Sequence, residues 1–295
     1  MGKINGYIEK RINEISSNLD IFKDLKCGID NNEDELSRIN ERLSRLEVEN
    51  KYLCENYGAV FNKLYRIEDN KEELVIMNTV PDSINYFNKY PEFFDVYEIF
   101  RAKNIKNNSI DINRLYMFVM NIRQILERNV KGAFAELGVY KGNNAAIMHK
   151  FCRKHKRKLY LLDTFEGFDE KDLVGVDSVQ EKQFADTSLE RVKQFVGESE
   201  YTHYVKGYFP DSVTNELKDD KFAFVSLDCD LYNPIKSGLE FFFPRLNKGG
   251  MIFVHDYSSG FFEGCKKAVD EFCLAKNIGI VLMPDKSGTA VIIKQ

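Results

Sequence analysis

Apolar positions repeat with a helical spacing in the first quarter of the chain. From Leu36 to Ile67 they recur at alternating steps of three and four, which is the heptad pattern of a coiled coil, and Asn50 falls at an a-type position. An earlier apolar stripe runs from Ile8 to Phe22, is out of phase with this seam and ends before Gly28. We therefore predict an N-terminal helical, coiled-coil arm of two helices over residues 1–70.

The spacing leaves the partner of this seam open. The two helices could fold back on each other, pair with a second chain, or lie against the rest of the protein, because a short break permits a hairpin as readily as a kink. A polar residue at an a position usually specifies register, so Asn50 favours a specific partner. We expect a homo-oligomer formed through the arm.

The remainder of the chain divides into a bridge and a body. Residues 71–130 are rich in aromatic side chains and read as a bridge or lid of short helices, the last of them over Asn113–Glu127. From residue 131 to residue 295 strand patterns alternate with helix patterns, which predicts an α/β body with a largely parallel sheet. The predicted strands are Ala133–Gly138, Leu159–Asp163, Thr202–Lys206, Phe222–Asp228, Met251–His255, Gly279–Met283 and Thr289–Ile293.

The final two predicted strands must form a hairpin. Only Pro284–Gly288 separates them, and a parallel crossover needs a dozen or more residues. Seven strands with an antiparallel last strand are typical of the Rossmann-like class I methyltransferase sheet rather than of an all-parallel dinucleotide-binding sheet. This is an expectation about fold, and function must come from the site.

Composition narrows the class of protein. The 42 basic and 46 acidic residues leave a net charge of −4, which disfavours nucleic-acid binding by broad phosphate neutralisation. The N-terminus lacks the apolar run of a signal peptide, and no segment has the ~20 apolar residues of a membrane span. Six cysteines without a CxxC pair indicate neither zinc nor a disulfide framework. We expect a cytoplasmic protein with reduced cysteines.

Two predicted strand ends suit a nucleoside cofactor. The first strand ends in an ExGxxxG pattern, Glu136 to Gly142, where glycines let a ligand approach the backbone and the following helix N-terminus can meet an anionic group. The second strand ends at Asp163, 27 positions after Glu136. A carboxylate there suits the two ribose hydroxyls of an adenosine-containing cofactor. Tight packing at the glycines and helix capping by Asp163 are the purely structural alternatives.

A second group of polar residues follows the fourth and fifth predicted strands. Asp228 and Asp230 come at the end of one, and His255 and Asp256 at the end of the other. Adjacent parallel strands bring three carboxylates and an imidazole to one rim, where they repel unless a cation or shared protons intervene. Oxygen ligands suit a hard divalent ion, most simply magnesium. A DxD pair is also the metal–nucleotide signature of many glycosyltransferases, so that function stays open.

Six motifs follow one another along the body: Glu136–Gly142, Asp163–Phe168, Phe184–Ser188, Gly207–Asp211, Leu227–Tyr232 and His255–Tyr257. In this order they resemble the macrocin O-methyltransferase family of S-adenosylmethionine- and magnesium-dependent sugar methyltransferases. The resemblance covers about residues 110–295.

This resemblance implies a role for each matching residue. Asp230 is the implied general base, and Asp228 and Asp256 are implied metal ligands. Where the family pattern has Asp-Asp-Tyr this chain has His255 before Asp256. Three outcomes are open: His255 leaves the metal site weaker, it is a third ligand that shifts the preference towards manganese, or it serves as a catalytic base. The implied cofactor-binding residues are Glu136, Gly138, Tyr140, Gly142, Asp163, Thr164, Phe165, Glu166, Asp186 and Asp228.

The sequence therefore predicts an S-adenosylmethionine-dependent O-methyltransferase, assisted by Mg²⁺ or Mn²⁺. Its acceptor would be a sugar hydroxyl of a glycan precursor, a nucleotide-sugar or another sugar-containing small molecule. The alternatives are a DxD glycosyltransferase and a non-catalytic scaffold on a methyltransferase fold. The long arm and His255 are the features that favour the scaffold.

Overall fold

The computed structural model describes residues 40–46 and 111–295. The chain divides into two compact units, residues 1–82 and 83–295. In the first unit residues 40–46 are helical, with Leu43 and Leu46 half-buried and their neighbours exposed. The rest of the heptad seam, Asn50, and the bridge up to residue 110 lie outside the described residues. The coiled coil and the three-part domain division thus stay predictions.

The second unit is built on one seven-stranded sheet with strand order β3-β2-β1-β4-β5-β7-β6. The first five strands are parallel, and β7 pairs antiparallel with both β5 and β6. This confirms the predicted class I methyltransferase sheet and its terminal hairpin. The strands are β1 (Ala133–Leu137), β2 (Leu159–Asp163), β3 (Thr202–Lys206), β4 (Phe222–Leu227), β5 (Leu246–Val254), β6 (Val281–Leu282) and β7 (Ala290–Ile293).

Strands β2 and β3 match the predicted bounds, and β1, β4 and β7 differ by one residue. Strand β5 begins at Leu246, five residues before the predicted start, because Leu246 already pairs with Phe222 across an irregular stretch. Strand β6 is shorter than predicted, since only Val281 and Leu282 pair with β7. Local patterns thus predicted the bounds of β3, at one edge of the sheet, but not the start of β5 in its interior or the extent of β6 at the other edge.

Helices cover both faces of the sheet, and three short 3₁₀ turns lie in the connections. The helices are α1 (Ile112–Glu127), α2 (Asn143–His155), α3 (Leu189–Val196), α4 (Asn215–Asp219), α5 (Tyr232–Phe242) and α6 (Glu263–Lys276). The 3₁₀ turns are Glu170–Asp172, Gly175–Val179 and Phe243–Arg245. No helix in the described parts of the chain is long and apolar enough to cross a membrane.

Helix α1 is part of the core of this unit. Its N-cap Asp111 accepts a hydrogen bond from the Arg114 backbone N–H at 3.2 Å. Its apolar stripe is fully buried, and the Phe118 ring lies 5.2 Å from the Phe224 ring of β4 and 5.7 Å from the Phe253 ring of β5. Burial of such aromatic side chains stabilises the fold by roughly 2–3 kcal/mol each. The contact holds the start of α1 close to the sheet's carboxyl edge.

Candidate active site

A cavity of about 400 Å³ opens at the carboxyl edge of the sheet. Its walls come from the ends of β1, β2, β4 and β5, from the start of α1, and from the loop after β2. This is where ligands bind in open α/β sheets, at the strand ends beside the point where the strand order reverses. Phe168 and Phe184 from the loop and Phe261 and Phe262 after β5 supply its aromatic surface.

Glycines shape the turn after β1. Gly138 has φ +89°, and a Cβ there would lie 2.1 Å from the Asp228 carbonyl oxygen, so no side chain fits. Gly142 has φ +86° as the N-cap of α2, with a Cβ position 2.6 Å from a Val196 methyl group. The turn therefore brings the backbone of β1 against that of β4 and leaves the first turn of α2 open to the cavity.

Asp163 braces this turn. Its Oδ2 accepts the backbone N–H groups of Val139 at 2.7 Å and Tyr140 at 2.8 Å, and its Oδ1 accepts that of Phe165 at 2.6 Å. The Thr164 hydroxyl lies 3.4 Å from the same Oδ1. Because a carboxylate offers about four acceptor positions, little capacity is left. Asp163 thus holds the loop and has room on Oδ1 for at most one further hydroxyl.

Asp186 closes the outer side of the same loop. It accepts a 2.6 Å hydrogen bond from the Tyr140 hydroxyl and a 2.5 Å contact from Lys141 Nζ. Hydrogen bonds from Lys141 and Tyr140 lower the pKa of Asp186. The side chain is exposed, so the contact tethers the loop rather than contributing much stability.

Glu136 lies beneath the turn in the interior. Its side chain is 1% exposed, and its Oε2 has no hydrogen-bond partner. Burial and, next, the nearby Asp228 carboxylate raise the pKa of Glu136 well above its ordinary value, although a hydrogen bond with Asn144 acts in the opposite direction. Glu136 therefore tends towards the neutral acid, which removes the cost of burying its charge.

The rim after β4 is organised around Asp228. Its Oδ2 accepts hydrogen bonds from Arg114 Nη2 at 2.9 Å and from Asn144 Nδ2 at 3.3 Å. Burial acts to raise the pKa of Asp228, but the cations of Arg114 and His255 outweigh it and hold the pKa below its usual range. Asp228 is thus a carboxylate with Oδ2 held in place and Oδ1 turned towards β5.

His255 stands between two carboxylates. Its Nδ1 lies 2.9 Å from Asp228 Oδ1 and 2.5 Å from Asp256 Oδ2, so it forms ion pairs with both carboxylates, although neither oxygen lies in line with the N–H direction. Burial and Arg114 lower the pKa of His255, but the two carboxylates outweigh them and raise it to about 9. The imidazole therefore contributes positive charge where the carboxylates converge.

Asp230 is a further carboxyl group on this rim. Burial first, then the carboxylates of Asp256 and Asp228, raise its pKa well above the ordinary value. Its φ is +60°, and the Leu231 N–H donates to the Cys229 carbonyl at 2.6 Å, which makes Asp230 the centre of a γ-turn. Asp256 also has a left-handed φ of +62°. Such strain in non-glycine residues is typical of functional sites.

The rim has the donor set of a divalent-cation site. One ligand atom from each of Asp228, His255 and Asp256 lies within 4.8 Å of the others. The buried Nδ1 of His255 has no aligned hydrogen-bond partner, as is expected of a nitrogen that binds a cation. Two carboxylates with one imidazole suit a divalent ion. The residues present therefore fit a metal.

The structure brings together most of the residues that the sequence singled out. On the cavity wall lie Gly138, Tyr140, Asp163, Thr164, Asp228, Asp230, His255 and Asp256. Five others do not line it: Glu136 is internal, Gly142 packs on Val196, Phe165 is in the core, Glu166 pairs with Lys206 at 2.9 Å, and Asp186 holds the loop from outside. These five support the wall.

Sequence reasoning missed Arg114, Asn144 and Asp285. Arg114 is 7% exposed and lines the cavity, although it sits in an apolar helical pattern 114 positions before its partner Asp228. The only local signal for it is a charged residue within the buried stripe of α1. For Asn144 and Asp285 no pattern in the sequence marks a role.

The strand order and the carboxyl-edge cavity define a class I methyltransferase. A family model described as Macrocin-O-methyltransferase (TylF) matches residues 105–289. The chain belongs to this family and is an O-methyltransferase, as the motifs predicted.

Two curated relatives from Streptomyces align with the same region. The chain is 25% identical over 185 residues, 57% of its own length and 68% of the relative's, to 8-demethyl-8-(2,3-dimethoxy-alpha-L-rhamnosyl)-tetracenomycin-C 4'-O-methyltransferase from Streptomyces olivaceus. It is 26% identical over 179 residues, 55% of its own length and 66% of the relative's, to demethyldecarbamoylnovobiocin O-methyltransferase from Streptomyces niveus.

Solved structures agree on the fold. The O-methyltransferase NovP superposes with a TM-score of 0.59 at 20% identity, and the superposition covers 72% of this chain and 100% of NovP. The calicheamicin methyltransferase CalS11 gives a TM-score of 0.50 at 20% identity over 74% of this chain and 99% of its own. At these identities the likeness concerns the fold alone.

Proposed function

We propose that this protein transfers the methyl group of S-adenosylmethionine to a sugar hydroxyl, with the help of a divalent cation. The observation that carries the proposal is that one cavity joins the glycine turn after β1 to the carboxylate rim after β4 and β5. A cofactor at the first end and an acceptor hydroxyl at the second would share this space. The name of the Streptomyces olivaceus relative, whose substrate carries a rhamnosyl group, supports the sugar acceptor.

The cofactor end supplies shape and backbone donors. Gly138 lets the backbone of β1 lie directly against that of β4 at the floor of this end, and the first turn of α2, which lines the cavity, favours the negative charge of a carboxylate. Asp163 has acceptor capacity for one ribose hydroxyl, while Tyr140 and Phe184, with ring centroids 5.0 Å apart, offer an aromatic wall. Holding donor and acceptor in line is itself worth several kcal/mol in such reactions, roughly 7 or more at best.

The acceptor end supplies charge and a proton acceptor. Asp228, Asp256 and His255 are the residues that would hold the cation, either Mg²⁺ or Mn²⁺. When bound, a divalent cation supplies Lewis acidity that lowers the pKa of a sugar hydroxyl. Asp230 would accept the proton of that hydroxyl. Burial and the neighbouring carboxylates raise the pKa of Asp230, which makes its carboxylate a stronger proton acceptor.

The proposal is tested by binding and turnover with the full chain. Calorimetry should show that S-adenosylmethionine binds and that UDP-sugars do not, and labelled methyl should appear on sugar acceptors such as nucleotide-sugars and deoxysugar glycosides. Chelator should abolish transfer without abolishing cofactor binding. Binding of a UDP-sugar in place of S-adenosylmethionine would instead indicate a glycosyltransferase, and cofactor binding without transfer to any sugar would contradict the acceptor class.

Two further parts of the proposal rest on the sequence. The heptad seam of the arm supports a homo-oligomer, and the composition supports a cytoplasmic location. Light scattering on the full chain tests the first, and fractionation of the native cell tests the second.

A further inference from the structure

The two nitrogens of His255 face two different sets of carboxylates. Nδ1 points into the gap between Asp228 and Asp256, whereas Nε2 lies 3.8 Å from Asp285 Oδ2 on the other side of the ring. Only 13% of the imidazole is exposed. One ring nitrogen therefore faces the space between Asp228 and Asp256, and the other faces the buried side chain of Asp285.

Asp285 is held rigidly in the turn between β6 and β7. Its Oδ1 accepts the Thr289 backbone N–H at 2.6 Å, and its Oδ2 accepts the Thr289 hydroxyl at 2.7 Å. The turn is closed by the Gly288 N–H on the Asp285 carbonyl at 3.2 Å and by the Met283 N–H on the Thr289 carbonyl at 2.8 Å. Only 1% of the Asp285 side chain is exposed. Its position is thus fixed by the fold and not by solvent.

Asp111, His255 and Asp285 also lie close enough to form a cation site of their own. The two carboxylates are, however, committed to other donors. Asp111 accepts the backbone N–H groups of Arg114 and Lys286, each at 3.2 Å, and both oxygens of Asp285 are bonded to Thr289. The gap beside Nδ1, which has no aligned hydrogen-bond partner, is the better cation position.

A histidine that binds a metal through one nitrogen usually donates its other N–H to a carboxylate, which fixes the ring and its tautomer. Asp285 Oδ2 faces Nε2 from 3.8 Å, just beyond hydrogen-bond distance, on the side of the ring where that carboxylate is needed. We propose that His255 releases its Nδ1 proton to solvent and binds the cation through that nitrogen, that Asp285 is its positioning residue, and that the site consequently prefers Mn²⁺ to Mg²⁺. The imidazole carries the preference, because Mg²⁺ takes oxygen ligands whereas Mn²⁺ also accepts nitrogen. This inference rests on the cation site of the proposed function.

Electron spin-echo spectroscopy of the full chain loaded with Mn²⁺ tests the ligand directly. The wild type should show modulation from a directly bound ¹⁴N, and Mg²⁺ should displace Mn²⁺ only at an excess of about tenfold or more. His255→Asp should lose the ¹⁴N signal and narrow the Mn²⁺/Mg²⁺ preference. His155→Asn, at the exposed end of α2, is the matched control and should change neither.

Asp285→Asn tests the positioning role. It should lower the affinity for Mn²⁺ by about 10- to 100-fold, the usual loss when such a partner is removed. The affinity for Mg²⁺ should fall less, because Mg²⁺ binding depends less on the imidazole. An equal loss of affinity for both ions would indicate a purely structural role and would overturn the positioning role of Asp285. Asp285→Glu keeps the carboxylate and should recover part of the Mn²⁺ preference.

Absence of the ¹⁴N signal in folded wild type, or equal affinity for the two ions, would overturn the assignment of His255. Methyl transfer is measured separately. Transfer with Mg²⁺ and no ¹⁴N signal would defeat this inference and leave the proposed function standing. A ¹⁴N signal without transfer to any sugar would support this inference and defeat the proposed function.

Discussion

The two ends of the cavity are built on opposite principles. At the cofactor end the polar groups are already satisfied: Asp163 accepts three backbone N–H groups, and Asp186 holds Tyr140 and Lys141. At the rim the groups compete, since Nδ1 of His255 lacks an aligned partner and burial beside other carboxylates raises the pKa of Asp230. Satisfied contacts give a preformed surface, whereas unsatisfied charge gives a site that a cation and a substrate complete.

The largest effect is expected from a substitution that changes the rim and leaves the cofactor end unaltered. Asp230→Asn removes the proton acceptor and leaves the cofactor end intact, so kcat should fall by about 100-fold or more. The affinity for S-adenosylmethionine, measured by calorimetry, should stay within about twofold, since no contact of the cofactor end is altered. A comparable loss of cofactor affinity would show that the two ends are not independent.

A substitution at Asp163 should instead disrupt the cofactor end of the cavity. Asp163→Ala leaves three backbone N–H groups without their acceptor, and we expect a loss of about 2–3 kcal/mol in the free energy of unfolding together with weaker S-adenosylmethionine binding. Denaturant titration and calorimetry measure the two effects. Asp186→Asn, on the exposed side of the same loop, is the control and should leave the free energy of unfolding close to the wild-type value. Unchanged cofactor affinity in Asp163→Ala would remove Asp163 from the site.

A smaller effect is expected beneath the turn, at Glu136. A carboxyl whose pKa is raised by burial is penalised in its charged form. Its destabilising contribution is absent below the pKa of the unfolded chain and grows as the pH rises from there towards the folded-state pKa. Glu136→Gln should therefore raise the unfolding free energy by about 1–2 kcal/mol at pH 8 and by little at pH 4. A gain of equal size at both pH values would contradict this cause.

The smallest effect on the cavity is expected from the arm. Deleting residues 1–70 should lower the oligomeric state measured by light scattering and leave the affinity for S-adenosylmethionine within about twofold, since no described wall of the cavity comes from those residues. An unchanged stoichiometry would indicate that the seam packs within one chain or that the rest of the protein associates by itself.

Much of the fold could be predicted because it depends on local patterns. Strand β2 is a buried apolar run, the half-buried β3 is rich in β-branched and aromatic residues, and the short connection before β7 permits only a hairpin. The meeting of Asp228, Asp230 and Asp256 was also predictable, because the carboxyl ends of neighbouring parallel strands share one edge.

Side-chain partners were decided only by the tertiary structure. Arg114 reaches Asp228 because packing of α1 on Phe224 and Phe253 brings its N-terminal turn to the rim, and no spacing in the sequence relates the two. The oxygens of Asp163 accept hydrogen bonds from the backbone of the loop, and the side chain of Glu136 lies in the interior. The path of the backbone and burial determine where each carboxylate points. The sequence alone determined which chemistry meets at this edge of the sheet, and the packing of distant elements decided which group each side chain contacts.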